Sequence, residues 1–165
     1  MQAPATVHIR SFRPEDRSGA LALIDAAPQA YRGAIPADCW HEPYMPAEAF
    51  DRELAAGVTF WVAEDLGRPV GVMGLQDVGD LDLIRHAYVS PHWQGRGVGR
   101  ALLERVRSRS GRRMLVGTWA AAHWAIRFYE RNGFRLAPRE RTAALLRRYW
   151  SIPERQIETS VVLDG

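Results

Sequence analysis

Apolar and polar positions alternate over residues 7–10, which is the period of a half-exposed β-strand. Three further strands are predicted over residues 59–64, 69–77 and 81–89. Turn signals containing glycine separate these three strands from one another. The pattern therefore predicts an antiparallel meander, and Pro91 ends the pairing of its third strand before a glycine-rich segment begins.

Apolar residues at helical spacing predict two helices in the first third of the chain. The first begins near residue 13, because a proline fits the first helical turn and acidic residues there favour the helix dipole, and Pro28 ends it. The second lies between Pro46 and Gly57. Residues 31–44 between them show no clear period and predict an irregular segment lined by aromatic side chains.

A third helix is predicted over residues 98–110, after the glycine-rich segment, and a buried strand over residues 114–119. A strand that follows a crossover helix lies parallel to the strand before that helix, so residues 81–89 and 114–119 are predicted to be parallel. The remaining predictions are a helix over 120–132 and strands over 134–136 and 156–163, with residues 139–150 either helical or irregular.

This order of elements predicts one α+β domain over residues 1–165, with a mixed central sheet flanked by helices. A chain of 165 residues with 47% hydrophobic content can bury a substantial core without disulfides. All 22 basic residues are Arg, and the formal charge is only +3, which is a weak argument for nucleic acid as a partner. We therefore expect no nucleic-acid partner.

The single cysteine, Cys39, can form neither an internal disulfide nor a multi-cysteine metal cluster. A single cysteine favours a reducing compartment as the location of the protein, and no metal site is expected. No apolar run approaches the roughly 18 residues of a membrane span, and the first residues lack a signal-peptide pattern. We expect a cytoplasmic protein without a membrane partner.

Residues 94–99, Gln-Gly-Arg-Gly-Val-Gly, stand between a predicted strand and a predicted helix. Backbone N–H groups at a helix N-terminus favour an anion, and glycine lets the main chain approach a phosphate closely. A Walker loop is excluded because the chain contains no Lys. A dinucleotide fingerprint is excluded because Arg100 occupies the position of its third glycine.

Residues 89–103 resemble the central acetyl-CoA motif of the GNAT superfamily of N-acyltransferases, Gln/Arg-x-x-Gly-x-Gly/Ala. Residues 125–134 resemble a second motif of that family, Ala-x-x-x-Tyr-x-x-x-Gly-Phe. The predicted strand order is similar to the family fold from about residue 7 to residue 163. The resemblance implies a parallel strand pair that splays apart around the cofactor.

The resemblance also implies roles for particular residues. The pantetheine arm of acetyl-CoA would lie along the strand at Ala87–Val89, with the Val89 N–H near the thioester oxygen. The amine would attack the thioester directly, and Tyr129 would give a proton to the departing thiolate. The implied cofactor-binding residues are Ala87, Tyr88, Val89, Gln94, Gly95, Arg96, Gly97, Val98, Gly99, Arg100 and Phe128.

Two positions depart from the family pattern. Ala122 stands where many members carry Asn, and Leu83 stands where many carry a general-base Glu. His86 is the catalytic candidate to replace that base, because imidazole titrates near neutral pH. An acceptor amine that loses its proton in solvent would need no base. The other candidate bases are Asp82, Glu42 and His41.

Acceptor specificity is expected from residues 31–44 and from the region of Arg147, Tyr149 and Trp150. Trp40, Tyr44 and Trp150 would form an aromatic wall, although core packing explains these side chains equally well. The expected function is transfer of an acetyl group from acetyl-CoA to an amine of a small molecule, peptide or protein. The alternative is a noncatalytic acyl-CoA-binding module, and a homodimer is compatible with either.

Overall fold

Seven strands form one mixed sheet in the computed structural model, which describes residues 6–165. The sheet order is β1-β2-β3-β4-β5-β7-β6, in which β4 and β5 are parallel and every other neighbouring pair is antiparallel. This arrangement confirms the predicted mixed α+β fold. The strands are β1 (His8–Ser11), β2 (Thr59–Asp65), β3 (Arg68–Asp77), β4 (Asp82–Val89), β5 (Met114–Trp119), β6 (Arg135–Leu136) and β7 (Ser160–Asp164).

Six α-helices flank this sheet within the described residues, and none is long and apolar enough to cross a lipid bilayer. One face of the sheet packs against α3 and α4, and the other packs against α1, α2, α5 and α6. The helices are α1 (Arg17–Ala26), α2 (Ala47–Ala55), α3 (Val98–Arg109), α4 (His123–Arg131), α5 (Arg139–Tyr149) and α6 (Glu154–Glu158).

The two central strands are buried on both faces over their paired residues, 82–84 and 114–116. Ile84 and Val116 pack with residues of α3 and α4, whereas their chain neighbours Leu83 and Leu115 pack with residues of α5 and α6. Successive side chains of a strand point to opposite faces, so a strand covered by helices on both sides is apolar throughout. This burial explains why residues 114–119 were predicted correctly as a strand.

A bulge in β4 interrupts the centre of the sheet. The register between β3 and β4 shifts, so that two residues of β4, His86 and Ala87, stand opposite one residue of β3. His86 has a φ of 50°, a left-handed conformation that is uncommon for residues other than glycine. The pairing of β4 with β5 ends at Ile84 and Val116, although β4 continues to Val89. The two parallel strands therefore splay apart, as the sequence resemblance implies.

The prediction of a final strand over residues 156–163 is wrong in its first half. Residues 154–158 form α6, and β7 begins only at Ser160. Pro153 precedes the helix and Glu154 lies in its first turn, which favours helix initiation. Ile157 is buried against the α5 side of the core, so packing stabilises this short helix. The ambiguous segment 139–150 is helical, as α5.

We predict that Gly74→Ala destabilises the fold at the bulge. A Cβ at Gly74 would stand 2.8 Å from the Phe60 ring and 2.9 Å from the main-chain oxygen of Arg85. Because that oxygen belongs to the bulged strand, the backbone must move, and we expect the free energy of unfolding to fall by about 1–3 kcal/mol. Urea unfolding followed by circular dichroism measures this change.

Gly33→Ala is the matched control, because a Cβ there would meet no atom within 4 Å. This variant should be as stable as the wild type or slightly more stable, since alanine restricts the unfolded chain. Equal stability of the two variants would contradict the tight packing proposed for the bulge.

Candidate active site

The loop between β4 and α3 presents a run of backbone N–H groups to solvent. Within this loop, the N–H groups of residues 95–100 donate to no acceptor of the described chain, and the first bond of α3 runs from Ala101 N–H to the Gly97 oxygen at 3.0 Å. Gly95 and Gly97 have φ values of 71° and 84°. A Cβ on either glycine would meet no atom within 4 Å. The loop is therefore an open cradle suited to an anion.

Contacts around the loop fix its position. The Gln94 side-chain amide donates to the Val89 oxygen at 3.1 Å and so ties the loop to the end of β4. A Cβ on Gly99 would stand 3.3 Å from the Phe128 ring, so glycine allows α4 to approach the N-terminus of α3 closely. The Arg96 guanidinium lies over the Trp93 ring at 4.4 Å.

A cleft of about 510 Å³ runs along this loop to the opening between β4 and β5. Every cofactor-binding residue predicted from the sequence lines it except Arg96. The other lining residues come mainly from β3, α4 and the segment after α1. The lining comprises Tyr31, Val72, Met73, Ala87, Tyr88, Val89, Trp93, Gln94, Gly95, Gly97, Val98, Gly99, Arg100, Leu102, Trp124, Ala125, Phe128, Tyr129, Arg131 and Asn132.

A second pocket, of about 130 Å³, meets the cleft at this opening. The two cavities share four lining residues, which are Tyr31, Ala87, Tyr88 and Tyr129. A ligand in one cavity can therefore touch a ligand in the other. The residues that line only the second pocket are Tyr44, Ile84, His86, Val116, Gly117, Thr118, Trp119, Leu146, Trp150, Ile152, Gln156 and Ser160.

Peptide groups of β4 beyond the bulge alternate in direction. The Ser90 N–H donates to the Val70 oxygen of β3 at 2.8 Å, and Tyr88 pairs with Val72 two residues earlier. In an antiparallel ladder, the intervening residues direct their N–H and C=O groups away from the partner strand. Val89 therefore directs its peptide groups toward the opening, where its oxygen accepts from Gln94, and Ala87, at the bulge, lines both cavities.

Tyr129 stands where the two cavities meet. Its side chain is only 5% exposed, and its ring packs edge-to-face against Phe128 and Phe134. Among the described residues no group hydrogen-bonds its hydroxyl. Burial, with a smaller contribution from Tyr31, raises the pKa of the Tyr129 hydroxyl above its ordinary value. The group is therefore a protonated donor throughout the neutral range.

His86 faces a carboxylate that sequence reasoning missed. Its Nε2 lies 2.6 Å from a carboxylate oxygen of Glu53 in α2, and Arg85 donates to the other oxygen at 2.8 Å. Burial raises the pKa of Glu53, but the hydrogen bond from His86 and the charges of His86 and Arg85 outweigh it and lower that pKa. Glu53 lies 33 residues before His86, and no local pattern links the two positions.

The other candidate bases lie outside both cavities. Asp82 is at the opposite end of β4, where it is 4% exposed and accepts hydrogen bonds from Ser110 and Arg112. Glu42 accepts from Arg32, and the His41 ring contacts a backbone oxygen. These contacts give the three residues structural partners. Within residues 6–165, no three His, Cys, Asp or Glu side chains cluster as metal ligands would.

The predicted acceptor wall forms only in part. Tyr44 and Trp150 line the second pocket, whereas Trp40 is partly buried against the core cluster that contains Trp119. The Tyr149 hydroxyl donates to Asp80, outside both cavities. An ion pair outside the cavities likewise joins Arg147 to Glu154.

The two positions that depart from the family pattern are apolar core positions here. Leu83 and Ala122 are both fully buried. Leu83 packs on the α5 side of the sheet, and Ala122 packs beside Trp119 at the start of α4. Neither side chain reaches the cleft or the second pocket.

Comparison with known proteins places this fold among acetyltransferases. Residues 56–136 match the family model described as the acetyltransferase (GNAT) domain. A GNAT-family acetyltransferase from Staphylococcus aureus Mu50 has a TM-score of 0.70 at 18% identity, over 96% of this chain and 98% of that chain. The PaiA N-acetyltransferase of Thermoplasma acidophilum, solved with coenzyme A, has a TM-score of 0.73 at 14% identity, over 98% and 99%.

The ribosomal-protein-S18-alanine N-acetyltransferase of Escherichia coli has a TM-score of 0.68 at 20% identity, over 96% of this chain and 92% of that chain. At these identities the solved structures share the fold with this chain. Their acceptors do not carry over to it.

We predict that Gly97→Glu abolishes the binding of acetyl-CoA while the protein remains folded. A carboxylate at the cradle repels a phosphate, and the left-handed φ of 84° strains a side-chain-bearing residue locally. Isothermal titration calorimetry measures the affinity. Gly67→Glu is the matched control, because Gly67 has a φ of 78° and open space around it in the turn between β2 and β3. A folded Gly97→Glu variant with wild-type affinity would contradict the assignment of the cradle.

Proposed function

We propose that this chain, whose residues 56–136 match the model of the acetyltransferase (GNAT) domain, transfers the acetyl group of acetyl-CoA to the nitrogen of an amine. The observation that carries this proposal is the meeting of two cavities at Ala87 and Tyr129. One cavity has an anion cradle, and the other lies next to an imidazole. Direct transfer requires both substrates to be bound at once, and this arrangement permits it.

The cradle residues suit the pyrophosphate of coenzyme A. Hydrogen bonds to charged groups contribute about 1.5–3 kcal/mol each, whereas the dipole of a helix contributes about 0.3–1 kcal/mol. The free N–H groups of residues 95–100 would therefore dominate the binding of the phosphates. Arg100 and Arg131 line the same cleft and add positive charge. Acetyl-CoA supplies the activated thioester.

The peptide N–H of Ala87 is our candidate for stabilising negative charge on the thioester oxygen. A donor fixed beforehand at the position where charge develops lowers the barrier of acyl transfer. Ala87 touches both cavities, whereas Val89, the donor expected from the sequence, lines only the cofactor cleft. The peptide groups of Val89 are better placed for the pantetheine arm.

His86 is our candidate for the general base. Of the residues that line the second pocket, it is the one whose side chain is a nitrogen base. Burial raises the pKa of the tyrosines at the junction, Tyr31, Tyr88 and Tyr129, and so keeps them protonated. Because Nε2 of His86 donates to Glu53, the neutral ring keeps its free lone pair on Nδ1.

In the proposed step, the amine nitrogen forms a bond to the acetyl carbon, the carbon–sulfur bond breaks, and its electron pair leaves with the sulfur. His86 accepts the proton that the amine loses. Tyr129 gives a proton to the sulfur, and solvent exchange restores both side chains. The products are an N-acetyl amide and coenzyme A.

Product formation separates this proposal from a noncatalytic acyl-CoA-binding module. Purified protein is incubated with acetyl-CoA and a set of primary amines, and acetylated product is detected by mass. Product above the uncatalysed background, with release of an equal amount of coenzyme A, supports the enzyme. Tight binding of acetyl-CoA without product from any amine would support the module.

We predict that Tyr129→Phe lowers kcat at least tenfold with little change in acetyl-CoA affinity. The ring is kept, and only the proton donor is lost, whose contribution is typically about 10²–10⁴-fold. Because its pKa is raised, Tyr129 should cause no loss of wild-type activity below about pH 10. Tyr149→Phe is the control, since that hydroxyl binds Asp80 outside the cavities. Wild-type turnover by Tyr129→Phe would reduce this residue to a packing role.

We predict that Glu53→Gln lowers kcat at least about tenfold with little change in acetyl-CoA affinity. Glu53 accepts from Nε2 of His86 and so holds the ring in place, and its negative charge balances the positive charge of Arg85 beside the ring. The remaining close neighbour, the Phe60 ring, is uncharged. The variant therefore lacks the carboxylate that would stabilise the ring as it takes the proton of the amine. Steady-state rates measure kcat, and isothermal titration calorimetry measures the affinity.

Glu64→Gln is the matched control for this variant. Glu64 also bridges a histidine and an arginine, His8 and Arg10, but lies on β2 away from both cavities. Its kcat should equal that of the wild type. A wild-type kcat for Glu53→Gln would contradict the role given to Glu53, and an equal loss of kcat and acetyl-CoA affinity would show that Glu53 only stabilises the fold.

A further inference from the structure

The second pocket, hereafter the acceptor pocket, has a lining without carboxylates, in which six of the sixteen residues are Tyr or Trp. No Asp, Glu or Arg is among its lining residues. The carboxylates in the elements around it already have cationic partners: Glu53 pairs with Arg85, and Asp38 pairs with Arg155. A second positive charge on an acceptor would therefore lose its hydration without gaining a carboxylate, which is costly.

The size of the pocket limits the acceptor further. Its volume of about 130 Å³ is close to that of a cavity of about 150 Å³ that holds one benzene molecule. Trp150 closes one wall, and a Cβ on Gly117 would stand 3.3 Å from its indole ring. Tyr44 and Trp119 contribute further aromatic surface. One planar ring on a short arm would fill this space and leave its amino group at the junction with the cofactor cleft.

We propose that the acceptor is a compact primary amine that carries an aromatic or apolar group and no second positive charge. This inference rests on the proposed function and names the substrate class of that site. Aromatic rings pack favourably on the faces and edges of the lining rings. A wall without carboxylates also favours the neutral form of the amine, which is the form that attacks. Gln156 and Ser160 offer hydrogen bonds to an uncharged polar substituent.

A competition among acceptors tests this inference. The probes are benzylamine, phenethylamine, the polycation spermidine and an alanine-initiated peptide amide, each with acetyl-CoA and mass detection of product. The expected kcat/KM for the better aryl amine is at least tenfold above that for spermidine or the peptide. A preference for spermidine or the peptide would overturn the inference and leave the proposed function standing. Binding of acetyl-CoA without acetylation of any amine would overturn the proposed function itself.

A charge placed in the pocket gives an independent readout. Gln156→Glu adds a carboxylate to the lining, so the ratio of aryl amine to spermidine in kcat/KM should fall at least fivefold. Gln29→Glu adds the same charge at an exposed position outside both cavities and should leave the ratio unchanged. An unchanged ratio for Gln156→Glu, in a protein that still turns over, would contradict the assignment of this pocket to the acceptor.

Discussion

The bulge at His86 ends the pairing of β4 with β5 and leaves an opening at the centre of the sheet, beside Ala87 and Val89. Over these residues β4 is half-buried, and the Val89 oxygen accepts from Gln94. The remaining peptide groups of this stretch that β5 does not pair are therefore accessible to a ligand that lies along β4. The cleft, the acceptor pocket and the approach of Tyr129 all depend on this local failure of strand pairing.

Much of this arrangement could be predicted because its signals are local. The glycines of the loop, the turns of the meander and the apolar run of β5 each determine their own backbone conformation. The fold was therefore predictable except at α6, where a β-like sequence is helical because Pro153 and the burial of Ile157 outweigh strand propensity. The splaying of the parallel strands was predicted only from the resemblance to a known family, because no single segment of the sequence indicates it.

The catalytic surroundings could not be predicted in the same way, because they depend on contacts between distant parts of the chain. Glu53 contacts His86 only because α2 packs on the sheet, and no sequence pattern near either residue indicates the contact. The direction of the Val89 peptide groups depends on the register with β3. Of three aromatic residues expected at the acceptor, Trp40 packs elsewhere, because aromatic side chains serve cores and binding walls equally well.

The division of the two cavities along the chain has an evolutionary consequence. The cofactor cradle and most of the cleft come from residues 87–132, whereas Trp150, Ile152, Gln156 and Ser160 line the acceptor pocket alone. Under the proposed function, substitutions in that last segment would alter which amine fits without changing the cofactor cleft. Descendants of such a chain would differ in substrate while keeping the same cofactor cleft. Their sequences would differ most in the C-terminal part.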